Sequence, residues 1–133
     1  MEKDSQIYKK NKKSLKRFLL SFKYCYEGLR YAFYHEQNII VMLILGIIAL
    51  ALGLVLNISY VERLVVILLI LIIISLEMVN TAIESTVNAI DKHNEYTKSA
   101  KDTASGAVGF ASIMALIIGI MIYLPKLIEL IRG

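Results

Sequence analysis

Glu77, Asn80 and Glu84 stand in one otherwise apolar stretch, Leu64 to Asn88, at spacings of three and four. On a helix turning about 100° per residue, Asn80 lies about 60° from Glu77, and Glu84 and Asn88 each within about 20° of it. Thr81 and Asp91 fall close to the same line. Such a helix carries one polar face on its later half. Carboxylates aligned in this way could take up a proton or hold a cation. A charged group at the bilayer midplane costs about 2.5–3.5 kcal/mol or more, and less near the surface, so an intramembrane carboxyl is by default functional. The structural alternative is a protonated Glu77 that joins two helices by a hydrogen bond. Further charge stands nearby in the sequence: Glu36 heads the first long apolar run, and Lys101 and Asp102 precede the last. Carboxylates and a lysine at one membrane face suit Mg²⁺ and phosphates. No G-x-x-x-x-G-K-[ST] loop is present, so a nucleotide site here is not of the P-loop kind.

The elements that must position these residues are membrane helices. The chain has 133 residues, 57% hydrophobic and 20% charged, enough for one domain. Mean hydropathy is +0.62. A soluble domain this small could not bury so much apolar surface, and its apolar residues are gathered in blocks with the charges between them. Residues 1–13 are lysine-rich and aperiodic, which predicts a flexible basic tail. From Ser14 to about residue 35, Leu15, Phe18, Leu19, Phe22, Tyr26, Leu29 and Phe33 recur at helical spacing, with Lys16, Arg17, Lys23 and Arg30 mostly elsewhere. That pattern predicts an amphipathic helix on a membrane surface, or one packed on partner helices.

Three spans follow, at about 38–57, 62–88 and 103–124. Leu64 to Leu76 is too short to cross alone, so its helix must continue through Glu77 to about Asn88. Residues 91–102 read as a charged loop. Ala104, Ser105, Gly106, Ala107 and Gly109 open the third span with small residues that permit close helix approach, and Pro125 is expected to end it. Residues 14–133 thus form a single all-α integral membrane domain. The lone cysteine, Cys25, allows no internal disulfide.

Charge sets the expected orientation. Of 15 Lys and Arg, nine precede residue 31; Lys92, Lys98 and Lys101 follow the second span, and only Arg63, Lys126 and Arg132 lie on the other side. The positive-inside rule then places the amino terminus in the cytoplasm and the carboxyl terminus outside. The basic arm faces an anionic bilayer surface rather than nucleic acid. Counting from Glu62, Glu77 lies roughly 22 Å and Glu84 roughly 33 Å along the helix. Glu77 is expected just inside the hydrocarbon of the cytoplasmic leaflet, and Glu84 at the interface. Two functions fit: a proton-coupled small-molecule transporter carrying its proton on Glu77, or an enzyme acting on lipid headgroups. The charge at Glu36 and Lys101–Asp102 favours the enzyme.

Three blocks carry a resemblance: E-G-L-R at 27–30 with Glu36 eight residues after the glycine, E-M-V-N-T-A-I-E at 77–84, and A-K-D-T-A-S-G-A-V at 100–108. In these the chain resembles the small bacterial membrane lipid kinases, the diacylglycerol kinase and undecaprenol kinase family, from about Arg17 to Leu124. The resemblance implies a surface helix followed by three membrane helices, assembled as a homotrimer in the bacterial plasma membrane with active sites shared between subunits. It also implies transfer of the ATP γ-phosphoryl group to a lipid hydroxyl with Mg²⁺. The likeness is closer to the branch seen in Gram-positive bacteria, whose Lys-, Ile- and Asn-rich style this chain shares. That sets undecaprenol ahead of diacylglycerol as acceptor.

Roles follow by position from the same resemblance. Glu77 matches the catalytic base and Asn80 its neighbouring amide, while Glu36 and Glu84 match the carboxylates that hold the metal bridging the ATP phosphates. Lys101, Asp102, Arg17 and Tyr24 match nucleotide-contacting positions, as do Glu95 and Tyr96 in the cytoplasmic loop. Ser105 falls where a lipid contact is expected. Two departures stand out. Asn88 replaces the family's usual aspartate, and Thr97 stands where a histidine is common, in a segment from Glu84 to Asp102 that is one residue short.

Overall fold

The computed structural model describes residues 2–90 and 94–132, with side chains from residue 15 onward. All the described regular structure is helical: α1 (Glu2–His35), α2 (Gln37–Val55), α3 (Tyr60–Asn88) and α4 (Glu95–Arg132). The chain divides into two units, α1 and the bundle from residue 36 onward.

Helix α1 begins at Glu2, not at Ser14, so residues 2–13 are helical where the sequence predicted a tail. Periodicity reports a face to bury, and its absence does not bar a helix. The segment has no Gly or Pro before Gly28, and Lys, Glu and Gln are good helix formers. Leu15, Phe18, Leu19 and Phe22 present an exposed apolar face, and Phe18 and Phe22 meet edge to face. Lys23 pairs with Glu27 at 3.7 Å, Arg30 lies over the Tyr34 ring, and His35 stacks on Tyr31.

Helices α2, α3 and α4 are each long and apolar enough to cross a membrane. Helix α3 is one continuous helix through Glu77, as the shortness of its apolar part required. It lies between α2 and α4 and packs along both.

The α2–α3 connection is a compact reversal built from two capping motifs. Asn57 takes a left-handed φ of 50°, which lets Ile58 N–H bond Gly53 O at 3.1 Å and Asn57 N–H bond Leu54 O at 3.3 Å. These bonds satisfy the last carbonyls of α2 in a Schellman arrangement. Ser59 then caps α3 in a reciprocal box: Glu62 N–H donates to Ser59 Oγ, and Ser59 N–H donates to Glu62 Oε2. Ile58 folds back over Gly53, where a Cβ would stand 2.6 Å from Ile58 Cδ1. Leu56, Ile58 and Val66 form the buried cluster at this end, flanked by Ile122, Tyr123 and Leu127 of α4. The Tyr123 hydroxyl donates to Ala49 O of α2 at 2.8 Å.

Two further expectations are corrected at α4. The helix passes through Pro125 to Arg132. A proline removes one backbone donor, but in an apolar helix neighbouring packing can compensate, and Leu127 beyond it is held against the end cluster. The helix also starts at Glu95, so residues 95–102 are not loop. Asn94 Oδ1 accepts from Tyr96 N–H and Thr97 N–H, and Thr97 Oγ1 accepts from Asn94 N–H. That cap turns a charged segment into a first helical turn.

Candidate active site

The polar stripe lies on the half of α3 remote from the α2–α3 reversal. Glu77 is 2% exposed, Thr81 3% and Asn80 8%. Thr81 Oγ1 donates to Glu77 O at 2.9 Å, one turn back, so its hydroxyl is satisfied within the helix. The Glu77 carboxylate accepts at Oε1 from Asn38 Nδ2 of α2, at 2.9 Å. The Asn80 amide donates at 3.4 Å to Glu84 Oε1, one turn on. In both pairs the amide NH₂ group faces the carboxyl oxygen and donates to it. For Asn80 this turns Oδ1 away from Glu84, where it is buried with no hydrogen-bond partner among the described residues. Asn80 also lines a cleft of about 600 Å³ between α3 and α4, with Leu76, Val79 and Ile83 facing Ala100, Thr103, Ala104 and Ala107.

Glu36 is half-buried at the N-cap of α2, in extended backbone, and its side chain makes no capping bond. Lys101 of α4 reaches across to α3, where Nζ donates to Asn88 Oδ1 at 3.3 Å. The departure at Asn88 therefore lands on a nucleotide-contact candidate. Asp102, one residue on, is exposed and shares a shallow polar dent on α4 with Glu95, Lys98 and Ser99. Tyr96 stands largely in the open at the rim of the α3–α4 cleft. Arg17 and Tyr24 are exposed on α1, two turns apart on one face. Ser105 is exposed on α4. Of the small residues opening the third span, Ala104 and Ala107 line the cleft, whereas Gly106 and Gly109 have open space around them. Asp91 lies outside the described residues.

The structure thus joins Glu77 to Asn38, Asn80 to Glu84, and Lys101 to Asn88. Asn38 is the residue that the reading of the sequence missed. Its signal was present, as the amide at the head of the first apolar run, two residues after Glu36. Among the described residues no cluster of three or more His, Cys, Asp or Glu side chains could hold a metal unaided.

Comparison with known proteins settles the class. Residues 23–123 match the family described as prokaryotic diacylglycerol kinase. The undecaprenol kinase of Bacillus subtilis is 38% identical over 120 residues, covering 90% of this chain and 98% of that protein. This chain belongs to the prokaryotic diacylglycerol kinase family. A second relative, the diacylglycerol kinase of Synechocystis, is 34% identical over 114 residues, covering 84% of this chain and 65% of that protein. The protein is accordingly a bacterial membrane protein of a lipid kinase family. The transporter reading finds no support in these relatives.

Proposed function

We propose that this protein transfers the γ-phosphoryl group of ATP to the hydroxyl of a membrane lipid alcohol, with undecaprenol the preferred acceptor and diacylglycerol the alternative. The observation that carries this reading is a pair of buried acceptors on adjacent turns of α3, the Glu77 carboxylate and the unpartnered Asn80 Oδ1. A lipid hydroxyl is a donor that could reach such a depth without taking a headgroup charge into the membrane. The preference for undecaprenol rests on the relative that this chain matches over nearly its whole length.

Asn80 orients the hydroxyl and Glu77 takes its proton as the oxygen attacks the γ-phosphorus, with ADP as leaving group. Burial of Glu77 also keeps water from the base, which limits loss of the phosphoryl group to solvent. Glu36 and Glu84 fit a hard divalent ion. Both are half-buried carboxylates; the first makes no capping bond, and the second accepts one long bond from a neutral amide. They would hold Mg²⁺, which supplies charge neutralisation on the phosphates when bound. Lys101, Asp102, Glu95 and Tyr96 at the start of α4, with Arg17 and Tyr24 on α1, are assigned to the nucleotide, and Ser105 to the lipid. We further assign the end of the bundle bearing Glu36, Glu84 and the start of α4 to the cytoplasmic face, the amino terminus to the cytoplasm and the carboxyl terminus to the outside, on the distribution of lysine and arginine. The exposed apolar faces of all three long helices, and Gly106 and Gly109 with nothing against them, support a homotrimer.

The test is Mg²⁺-dependent transfer of labelled phosphate from ATP to a panel of lipid alcohols in mixed micelles. Undecaprenol is expected to be the best acceptor, with Glu77→Gln inactive yet still able to bind nucleotide. Purified protein that phosphorylates no lipid alcohol overturns the proposal.

A further inference from the structure

We propose that Asn38 is a positioning residue for the reaction: it holds the Glu77 carboxylate in its working orientation and ties it to the helix whose first residues follow Glu36. This rests on the reading of Glu77 as the base. Asn38 touches neither the reacting hydroxyl nor the phosphates in this assignment; it acts through Glu77.

The case begins with the mobility of a glutamate. Three side-chain torsions lie between the α3 backbone and the carboxylate, and Glu77 has no carboxylate contact to its own helix, since Thr81 is spent on the Glu77 backbone carbonyl. The bond from Asn38 Nδ2 to Oε1 at 2.9 Å supplies the fixed donor, and it comes from a different helix. A carboxyl group that is 2% exposed is also cut off from water as a partner, so its hydrogen bonding must come from the protein.

The donor itself is firmly placed. Asn38 is the second residue of α2, and the next residue, Ile39, is wholly buried. Further along the same antiparallel seam Gly46 meets Ile70, where a Cβ would stand 3.0–3.2 Å from three atoms of that side chain. The α2–α3 spacing is therefore set by contacts that leave little slack, and Asn38 inherits it. The same first turn follows Glu36, whose carboxylate makes no capping bond. One helix start thus presents a metal-ligand candidate and, two residues later, the group that orients the base. Any shift of α2 along α3 moves both together. For phosphoryl transfer, where the protein contributes chiefly position, that linkage matters: an ångström of misplacement costs about 10² in rate.

The decisive experiment compares Asn38→Asp and Asn38→Leu with the wild type and Glu77→Gln in the lipid kinase assay, measuring kcat, KM for ATP and the Mg²⁺ concentration for half-maximal activity. Asn38→Leu keeps the approximate volume and removes the donor without adding charge; Asn38→Asp keeps the shape but sets a second carboxylate against Glu77. Both are expected to lower kcat by about tenfold to a hundredfold, the scale set by a misplaced reacting group, with KM for ATP and the Mg²⁺ requirement within about twofold of wild type. Asn38→Leu with wild-type kcat overturns the inference, since the donor would then be dispensable. A raised Mg²⁺ requirement at unchanged kcat also overturns it, by assigning Asn38 to Glu36 instead. Active wild type with an active Glu77→Gln sinks the base assignment itself, and is read from the same plate independently of the Asn38 variants. If Asn38→Leu fails to assemble, Asn38→Ser decides in its place, because its side chain adds no charge and is too short to span the bond to Glu77.

Discussion

The two ends of the α2–α3–α4 bundle are held by different means. At the α2–α3 reversal the contacts are shape and backbone: Ile58 over Gly53, Leu56 and Val66 in a buried cluster, a Schellman turn, a capping box, and a tyrosine hydroxyl on a backbone carbonyl. Polar atoms there are mostly paired, Arg63 Nε being the exception. At the other end Ile39, Val87 and Val108 are buried, and the polar contacts between helices are single side-chain hydrogen bonds, Asn38 to Glu77 and Lys101 to Asn88, while Asn80 keeps a buried acceptor without a donor among the described residues. Each end thus keeps one buried polar atom without a partner among the described residues, but only at the polar end does it lie one turn from a buried carboxyl, that of Glu77. A buried group without its partner costs about 1–3 kcal/mol, and it is the pairing of that cost with a buried carboxyl on the next turn that distinguishes the polar end.

The comparison can be broken first at the polar end. Glu77→Gln is expected to reduce phosphoryl transfer by about 10²–10⁴-fold, the range for loss of a general base, while thermal stability in detergent stays near wild type. A retained rate would move the chemistry elsewhere on the stripe. Asn80→Leu removes the unpartnered acceptor and the donor to Glu84 together. It should cost about 10²-fold in kcat/KM for the lipid yet raise the melting temperature, because a buried unsatisfied atom is lost. A fall in both would show that Asn80 is structural.

The reversal end predicts the opposite pattern. Gly53→Ala must displace Ile58 and crowd the Tyr123 hydroxyl, whose oxygen lies 3.2 Å from the new Cβ. Overpacking of this kind costs about 1–3 kcal/mol, read as a lower melting temperature with kcat at permissive temperature unchanged. Asn57→Ala, at φ 50°, should cost about 1–2 kcal/mol by the same measurement, and Asn57→Gly should be neutral or stabilising. The smallest effect is expected at Asn88→Asp. Pairing Lys101 with a full charge should raise KM for ATP by about two- to fivefold, since exposed pairs are worth about 0.2–1 kcal/mol. A lowered KM would mean that Asn88 does not act through Lys101.

Much of this was legible beforehand because the bilayer imposes strict rules. The apolar run from Leu64 could not span alone, so α3 had to run through Glu77, and it does. The failures were also physical. Pro125 was read as a stop by its local chemistry, but Leu127 packs beyond it. Residues 95–102 were read as loop because they are charged, yet Asn94 and Thr97 cap a helix there. Thr97, first noticed as a departure from the family pattern, is half of that cap.

The sequence by itself determined the membrane helices, the polar stripe and its residues, and the family, because apolar length and residue types at helical spacing are local properties of the chain. Only the tertiary structure decided which groups meet. Asn38 and Glu77 are far apart in the chain, and their contact follows from the α2–α3 register set at the reversal and by Gly46 against Ile70. Asn88 meets Lys101 because α4 starts where Asn94 caps it. Asn80 Oδ1 is left without a donor because Glu84 claims the other side of the amide. Partnership depends on where two helices are brought together, and no single helix face records that.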